Sequence, residues 1–223
     1  MLCLKGFKSK IVSFDEFFLT GKQYRFKKGQ LILRPDINPG GIYYIEKGYV
    51  RVYYLTESGR EKLHVIYKKG ELFPLLFVLK KIHRDAYYEA MDEVTCRKTE
   101  AKVFLEQLKK DPYFSVALDQ KLIDLLNVFV NRLDNLETHG GPARVIARLS
   151  FLAERFGQKT EDGVLIDAPI THKDIADSVA LNRESVSRQI EDLIRRQIIQ
   201  VKNHKFLIPK ISKLQKELLN LES

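Results

Sequence analysis

At 223 residues, with 44% apolar and 30% charged side chains, the chain has a globular composition and room for two domains, which sets aside disordered, fibrous and membrane-spanning classes. Its formal net charge of +9 favours a polyanionic partner, yet 14 Lys and Arg against 11 Asp and Glu from Thr138 onward leave only +3 in the C-terminal part. A nucleic-acid reading therefore has to rest on arrangement rather than on bulk charge.

The N-terminus, Met1 to Gly6, holds no apolar stretch of signal-peptide length, and no later run approaches a membrane span, so the expectation is a cytoplasmic protein without membrane contact. From about Gln23 to Thr99 short runs rich in Tyr, Val, Ile and Phe alternate with Gly29, Gly48, Gly59 and Gly70. This pattern predicts an antiparallel β-roll or small barrel, with Glu57-Ser58-Gly59-Arg60 as one hairpin turn. Cys3 and Cys96 are the only cysteines and form no CxxC pair, which suits a reducing compartment and excludes an in-chain four-cysteine metal site; no cofactor is expected.

From about Pro112 to Glu137 the period becomes helical. Leu118, Leu122, Leu125, Phe129 and Leu136 form one stripe, and Ile123, Leu126, Val130 and Leu133 an adjacent one. Two apolar faces on one helix imply two partners: one stripe covers the β domain and the other meets a second copy of the helix. The first stripe is assigned as the dimer-helix set, with Phe129 the position where an aspartate should break the pair. A helix wholly inside its own chain is the plainer alternative. His139-Gly140-Gly141-Pro142 is read as the stop, which divides the chain into a sensor domain (1–110), a dimerisation helix (111–138) and a C-terminal domain (139–223).

In that last part a helix from Ala143 to Phe156 precedes a short strand, Val164-Leu165-Ile166. The segment Ile170 to Leu193 then reads as two helices joined by a tight turn, with Thr171 and Asp174 as a capping box on the first and Asn182 capping the second. Val186, Ile190 and Leu193 must face the core, which leaves Arg183, Glu184, Ser187 and Arg188 at an exposed helix N-terminus. Arginine can donate twice to guanine and glutamate can accept from cytosine, so this face suits a major groove of duplex DNA. The residues from Ile198 to Ile208 form a predicted β-hairpin wing with a basic tip, adding Lys202 and Lys205, and Thr171, to the candidate DNA contacts. An αα-hairpin used only for packing would leave these charges without a role.

On the Gly-punctuated roll, the long helix and Arg183-Glu184-Ser185-Val186-Ser187-Arg188, nearly the whole chain resembles the cyclic-AMP receptor and fumarate-nitrate regulator (CRP/FNR) family of transcription regulators. The resemblance implies an α+β fold with a cyclic-nucleotide-binding-like roll and a winged helix-turn-helix. It further implies a homodimer on an inverted repeat, DNA contacts from Arg183, Glu184, Ser187 and Arg188, and surface contacts to RNA polymerase. Two positions depart from the family pattern. Ala180 stands where the family has a turn glycine, a left-handed position costing alanine about 1 kcal/mol. Pro74-Leu75 replaces the Gly-Glu that holds a cyclic nucleotide's ribose, and Arg84-Asp85-Ala86 places an acid beside the phosphate-binding arginine. Arg84 is therefore expected to pair with Asp85 or a neighbour, and any effector, near Arg84, Leu75 and Phe73, to be a small hydrophobic or aromatic molecule rather than a cyclic nucleotide, with constitutive DNA binding without an effector as the equal alternative. The leading alternative is a cupin-like barrel with an accessory helical domain. Only His64 and His83 of the five histidines lie in the barrel, not at ligand spacing, and no catalytic motif is present, so an enzyme is not expected.

Overall fold

The computed structural model describes residues 14–138 and 140–222, apart from the side chains of 135–138 and 222. The Leu136 side chain, His139 and Cys3 lie outside the described residues.

After the helix α1 (Phe14–Leu19) come β1 (Lys22–Phe26), β2 (Leu31–Leu33), β3 (Gly41–Lys47), β4 (Val50–Leu55), β5 (Glu61–Tyr67) and β6 (Leu72–Phe73). A short helix α2 (Leu75–Lys80) then leads to β7 (Ala86–Ala90) and β8 (Val94–Glu100). These strands pair antiparallel in two four-stranded sheets, ordered β1-β8-β3-β6 and β2-β7-β4-β5. The alternation of β3 shows how the roll closes. Tyr43 and Ile45 point between the sheets towards Val50, Val52 and Val65, whereas Ile42 and Tyr44 point outward into a second cluster with Phe18, Phe104 and Phe114. Gly48 turns β3 into β4 at φ +88°, and a Cβ there would meet the Glu93 carbonyl oxygen at 2.6 Å, so only glycine fits. The β4–β5 hairpin turns at Glu57 to Arg60, as its turn residues predict.

Then follow α3 (Ala101–Lys110) and α4 (Pro112–Thr138). The aromatic cluster of α1 and α3 fixes which face of α4 turns inward. Leu118 is 4% exposed among Phe14, Phe104 and Phe114, and Leu122, Leu125 and Phe129 continue that face along the roll. This corrects the assignment of these four residues as the dimer set: their stripe serves its own chain. The adjacent stripe, Ile123, Leu126, Val130 and Leu133, is 45 to 63% exposed.

The C-terminal part comprises α5 (Gly141–Phe156), β9 (Gly157–Thr160), β10 (Gly163–Ile166), α6 (His172–Val179), α7 (Arg183–Arg195), β11 (Gln200–Lys202), β12 (Lys205–Ile208) and α8 (Ile211–Glu222). α4 ends at Thr138, where the stop was expected, Gly140 is extended, and Gly141 and Pro142 open α5, where a proline in the first turn costs no hydrogen bond. The third sheet runs β11-β12-β10-β9. The core of this part also takes in Leu63, Ile66 and Met91 from the roll. Polar links reinforce the joint: Arg155 meets Glu71 at 2.8 Å, the Lys68 ammonium donates to the Arg155 carbonyl at 2.7 Å, and Tyr49 donates to Asp167 at 3.1 Å.

Candidate DNA-binding face and effector cavity

Thr171 caps α6 in a complete capping box: its hydroxyl accepts from the Asp174 N–H at 3.1 Å, and its own N–H donates to the Asp174 carboxylate at 2.9 Å. The Thr171 hydroxyl also donates to that carboxylate at 2.6 Å, so both its donors are committed and a phosphate contact would have to displace them. Asp174 has a second task. Its carboxylate lies 3.4 Å from Arg51 of β4, which also pairs with Glu89 and Glu61, so the helix cap is tied to the roll. The turn passes through Ala180 at φ 55°, ψ 44°, the left-handed conformation expected of a family glycine. Ala180→Gly is expected to raise stability by up to about 1 kcal/mol, read as a higher urea midpoint. An unchanged or lower midpoint would mean that the turn stores no strain.

Asn182 caps α7 through the Ser185 N–H at 2.7 Å, and Val186, Ile190 and Leu193 are fully buried beneath it. Arg183, Glu184 and Arg188 are exposed and make no ion pair among the described residues, so their hydrogen-bonding groups are available. Ser187 differs from them: it is half-buried, 2.9 Å from His172 Nδ1, and the His172 ring stacks on Phe206 of the wing. Burial, with Arg183 nearby, holds the His172 pKa below the usual imidazole value. This residue, which sequence reading passed over, thus joins the start of α6, the middle of α7 and the wing.

Both wing strands form, and the tip residues Asn203 and His204 adopt positive φ, as a two-residue hairpin requires. The wing lysines are engaged: Lys202 meets Asp162 at 2.6 Å and Lys205 meets Asp167 at 2.5 Å. Lys202 is well exposed and can exchange its carboxylate for a phosphate, while Lys205 is more enclosed.

A cavity of about 540 Å³ opens between the roll and α4, a size that suits a small organic molecule. Leu75 and Arg84 line it, as do Leu122, Leu125 and Phe129 from the inward stripe of α4. Phe73 does not. It is fully buried in register with Tyr43 and stacks on Tyr43, Tyr67 and Tyr88, because strand alternation turns it between the sheets. The pairing expected for Arg84 is also absent, since it makes no ion pair among the described residues. Sequence reading did not place four further basic residues in this lining, Arg34, His64, His83 and Arg132. Arg132 stands three residues after Phe129, which places it on the inward stripe, and its guanidinium donates to the His64 carbonyl at 2.7 Å.

Residues 23–111 match the cyclic nucleotide-binding domain and residues 143–217 the Crp-like helix-turn-helix domain, so the two matches span most of the chain in the order seen in the fold. The chain belongs to the CRP/FNR family of transcription regulators. The global nitrogen regulator of Nostoc is 24% identical over 83% of this chain and 84% of its own length. The CRP-like cAMP-activated global transcriptional regulator of Mycobacterium tuberculosis is 25% identical over 82% of each. Among solved structures, FixK2 from Bradyrhizobium japonicum superposes with a TM-score of 0.75 at 19% identity, covering 91% of this chain and 98% of that one. A CooA mutant from Carboxydothermus hydrogenoformans gives 0.75 at 22% identity, over 91% and 89%. This CRP/FNR chain is accordingly a DNA-binding transcription regulator, and the cupin-like alternative is not favoured. Regulators of the CRP/FNR type bind DNA as dimers. Among the described residues no helix is long and apolar enough to cross a membrane.

Proposed function

We propose that two copies of this chain join along the exposed stripe Ile123, Leu126, Val130 and Leu133 of α4 and read an inverted repeat with their two α7 helices. The carrying observation is the combination of a buried Val186-Ile190-Leu193 seam with Arg183, Glu184 and Arg188 free at the capped N-terminal end of α7. In this reading those three side chains contact bases and Ser187, steered by His172, contacts the backbone or a base edge. Lys202 and Lys205 serve phosphates, and Thr171 sets the angle of α6. The sensor roll (1–110), dimer helix (111–138) and DNA-binding domain (139–223) act as the working units. The protein works in the cytoplasm, with RNA polymerase contacted by its outer surface. Mobility-shift titration tests the dimer reading: an intact inverted repeat should bind two chains together, and equal affinity for an isolated half-site would contradict it.

The cavity supports a small-molecule effector other than a cyclic nucleotide. Burying a ribose hydroxyl and a cyclic phosphate demands an acceptor for one and a cation with backbone donors for the other. Among the described residues no Asp or Glu lines the cavity, and Pro74 offers no N–H. Calorimetric titration with cyclic AMP or cyclic GMP is expected to give no binding heat up to about 1 mM. Micromolar binding coupled to tighter DNA association would overturn this.

A further inference from the structure

The hydrogen bond between α6 and α7 has a direction, and its surroundings fix that direction. His172 is the first residue of α6, and its Nδ1 lies 2.9 Å from the hydroxyl oxygen of Ser187, half-buried on α7. The His172 ring stacks on Phe206 of the wing at 5.9 Å and 17°, so a third element holds the ring plane. Val186 and Ile190, fully buried on either side of Ser187, keep the serine backbone in place. Among the described residues the Ser187 hydroxyl has no acceptor other than His172 Nδ1, and His172 Nε2 has no partner. Burial and then Arg183 hold the His172 pKa below the usual imidazole value, against the opposing pull of Glu191, so the ring is neutral near pH 7. A neutral imidazole has one donor and one acceptor nitrogen, and the partner of one sets the role of the other. With its proton on Nδ1, the ring would leave only a lone pair on Nε2, on a helix that crosses the anionic phosphate backbone in this motif. With the proton on Nε2, the ring can donate to a phosphate while Nδ1 accepts from Ser187. A serine hydroxyl whose hydrogen is committed has only lone pairs left to offer.

We infer that His172 accepts the Ser187 hydrogen, so that Ser187 meets DNA only as an acceptor and selects a base with an exocyclic amine, adenine or cytosine, over guanine or thymine. This rests on the reading of α7 as the groove helix and adds to it the polarity of one contact. A serine free to rotate can donate to the oxygen of guanine or thymine as readily as it accepts from an amine, and so distinguishes neither. His172 is a positioning residue that makes a tolerant hydroxyl selective.

Selection from a random duplex pool by the full-length protein and its variants tests this. The position that Ser187 reads is the one whose base preference disappears in Ser187→Ala. There the unmodified protein should favour adenine or cytosine by about fivefold, the worth of one hydrogen bond. His172→Leu keeps an apolar side chain against Phe206 but removes the acceptor, and should reduce that preference to within about twofold while the rest of the motif is still selected. His172→Asn, whose amide oxygen can stand where Nδ1 stands, should recover most of it. A spectroscopic readout is independent of DNA: in the nitrogen-15 histidine spectrum of the free protein, the ring that vanishes in His172→Leu should carry its proton on Nε2 and none on Nδ1. Guanine or thymine at the Ser187 position, a preference unchanged in His172→Leu, no position altered in Ser187→Ala, or a proton on Nδ1 would each overturn the inference. Any of these with a selected inverted repeat sinks the His172 inference alone. Failure of the unmodified protein to select any motif sinks the groove-helix reading and this inference with it.

Discussion

Replacing Arg188 with Ala should cost about 1–3 kcal/mol on the preferred DNA site, a loss of up to about two hundredfold, and relax the base preference at one position of each half-site. The magnitude follows from geometry. Val186 and Ile190 on either side of Arg188 are fully buried, so the α7 backbone is held and the guanidinium is presented without a competing carboxylate. A bidentate arginine bond to guanine lost at an otherwise unchanged interface exposes the full difference between a matched and an unmatched base. A phosphate contact behaves otherwise: its loss weakens all DNA by the same factor and lowers the salt dependence by about one counterion. Anisotropy titrations against the preferred and a scrambled duplex separate the two. Parallel losses on both would place Arg188 on the backbone.

The second large effect concerns assembly. Leu126 is 60% exposed on the outer stripe of α4, with Ile123 and Val130 beside it. Burying each such side chain against a partner contributes roughly 1.5–3 kcal/mol, which is how a single helix seam can hold a dimer. Leu126→Asp places a charge in that seam on both copies, removes the apolar gain and adds like-charge repulsion in a poorly solvated place. The expected result is a folded monomer of 26.0 kDa at micromolar concentration where the unmodified protein weighs twice that by light scattering. Phe129→Asp should act differently. Phe129 packs against His64 at 4.9 Å inside the chain, so an aspartate there should lower thermal stability of the roll before it affects assembly. A variant Leu126→Asp that stays dimeric would show that copies meet elsewhere.

These contrasts mark where sequence reading succeeds. The helix-turn-helix was legible because its determinants are local: Thr171 and Asp174 three residues apart, Asn182 before α7, a 3.6-residue seam and a two-residue hairpin tip. Even the strain at Ala180 could be expected from its place in the turn. The two stripes of α4 could not be told apart, because both are apolar and the aromatic rings of α1 and α3, together with the strands of the roll, decide which is covered. Those two helices, with α2 and α8, escaped notice in turn. α2 is six residues long, and α3 lacks a side-chain cap, so neither a full period nor a start signal is present. The wing lysines and Arg84 show the same limit for charge: partners 38 and 40 residues away engage Lys205 and Lys202, whereas adjacent Asp85 does not engage Arg84. Tyr54, His64, Tyr67, Tyr88 and Arg132 line one cavity only when β4, β5, β7 and α4 are brought together.

The most direct test of the central claim is sequencing of duplex DNA recovered from a random pool by the purified, unmodified protein at physiological salt. The expected result is enrichment of an inverted repeat with half-site centres about one helical turn apart and a G·C pair at the position lost in Arg188→Ala. Recovery of DNA with no common motif, or of a single unpaired site, would contradict it.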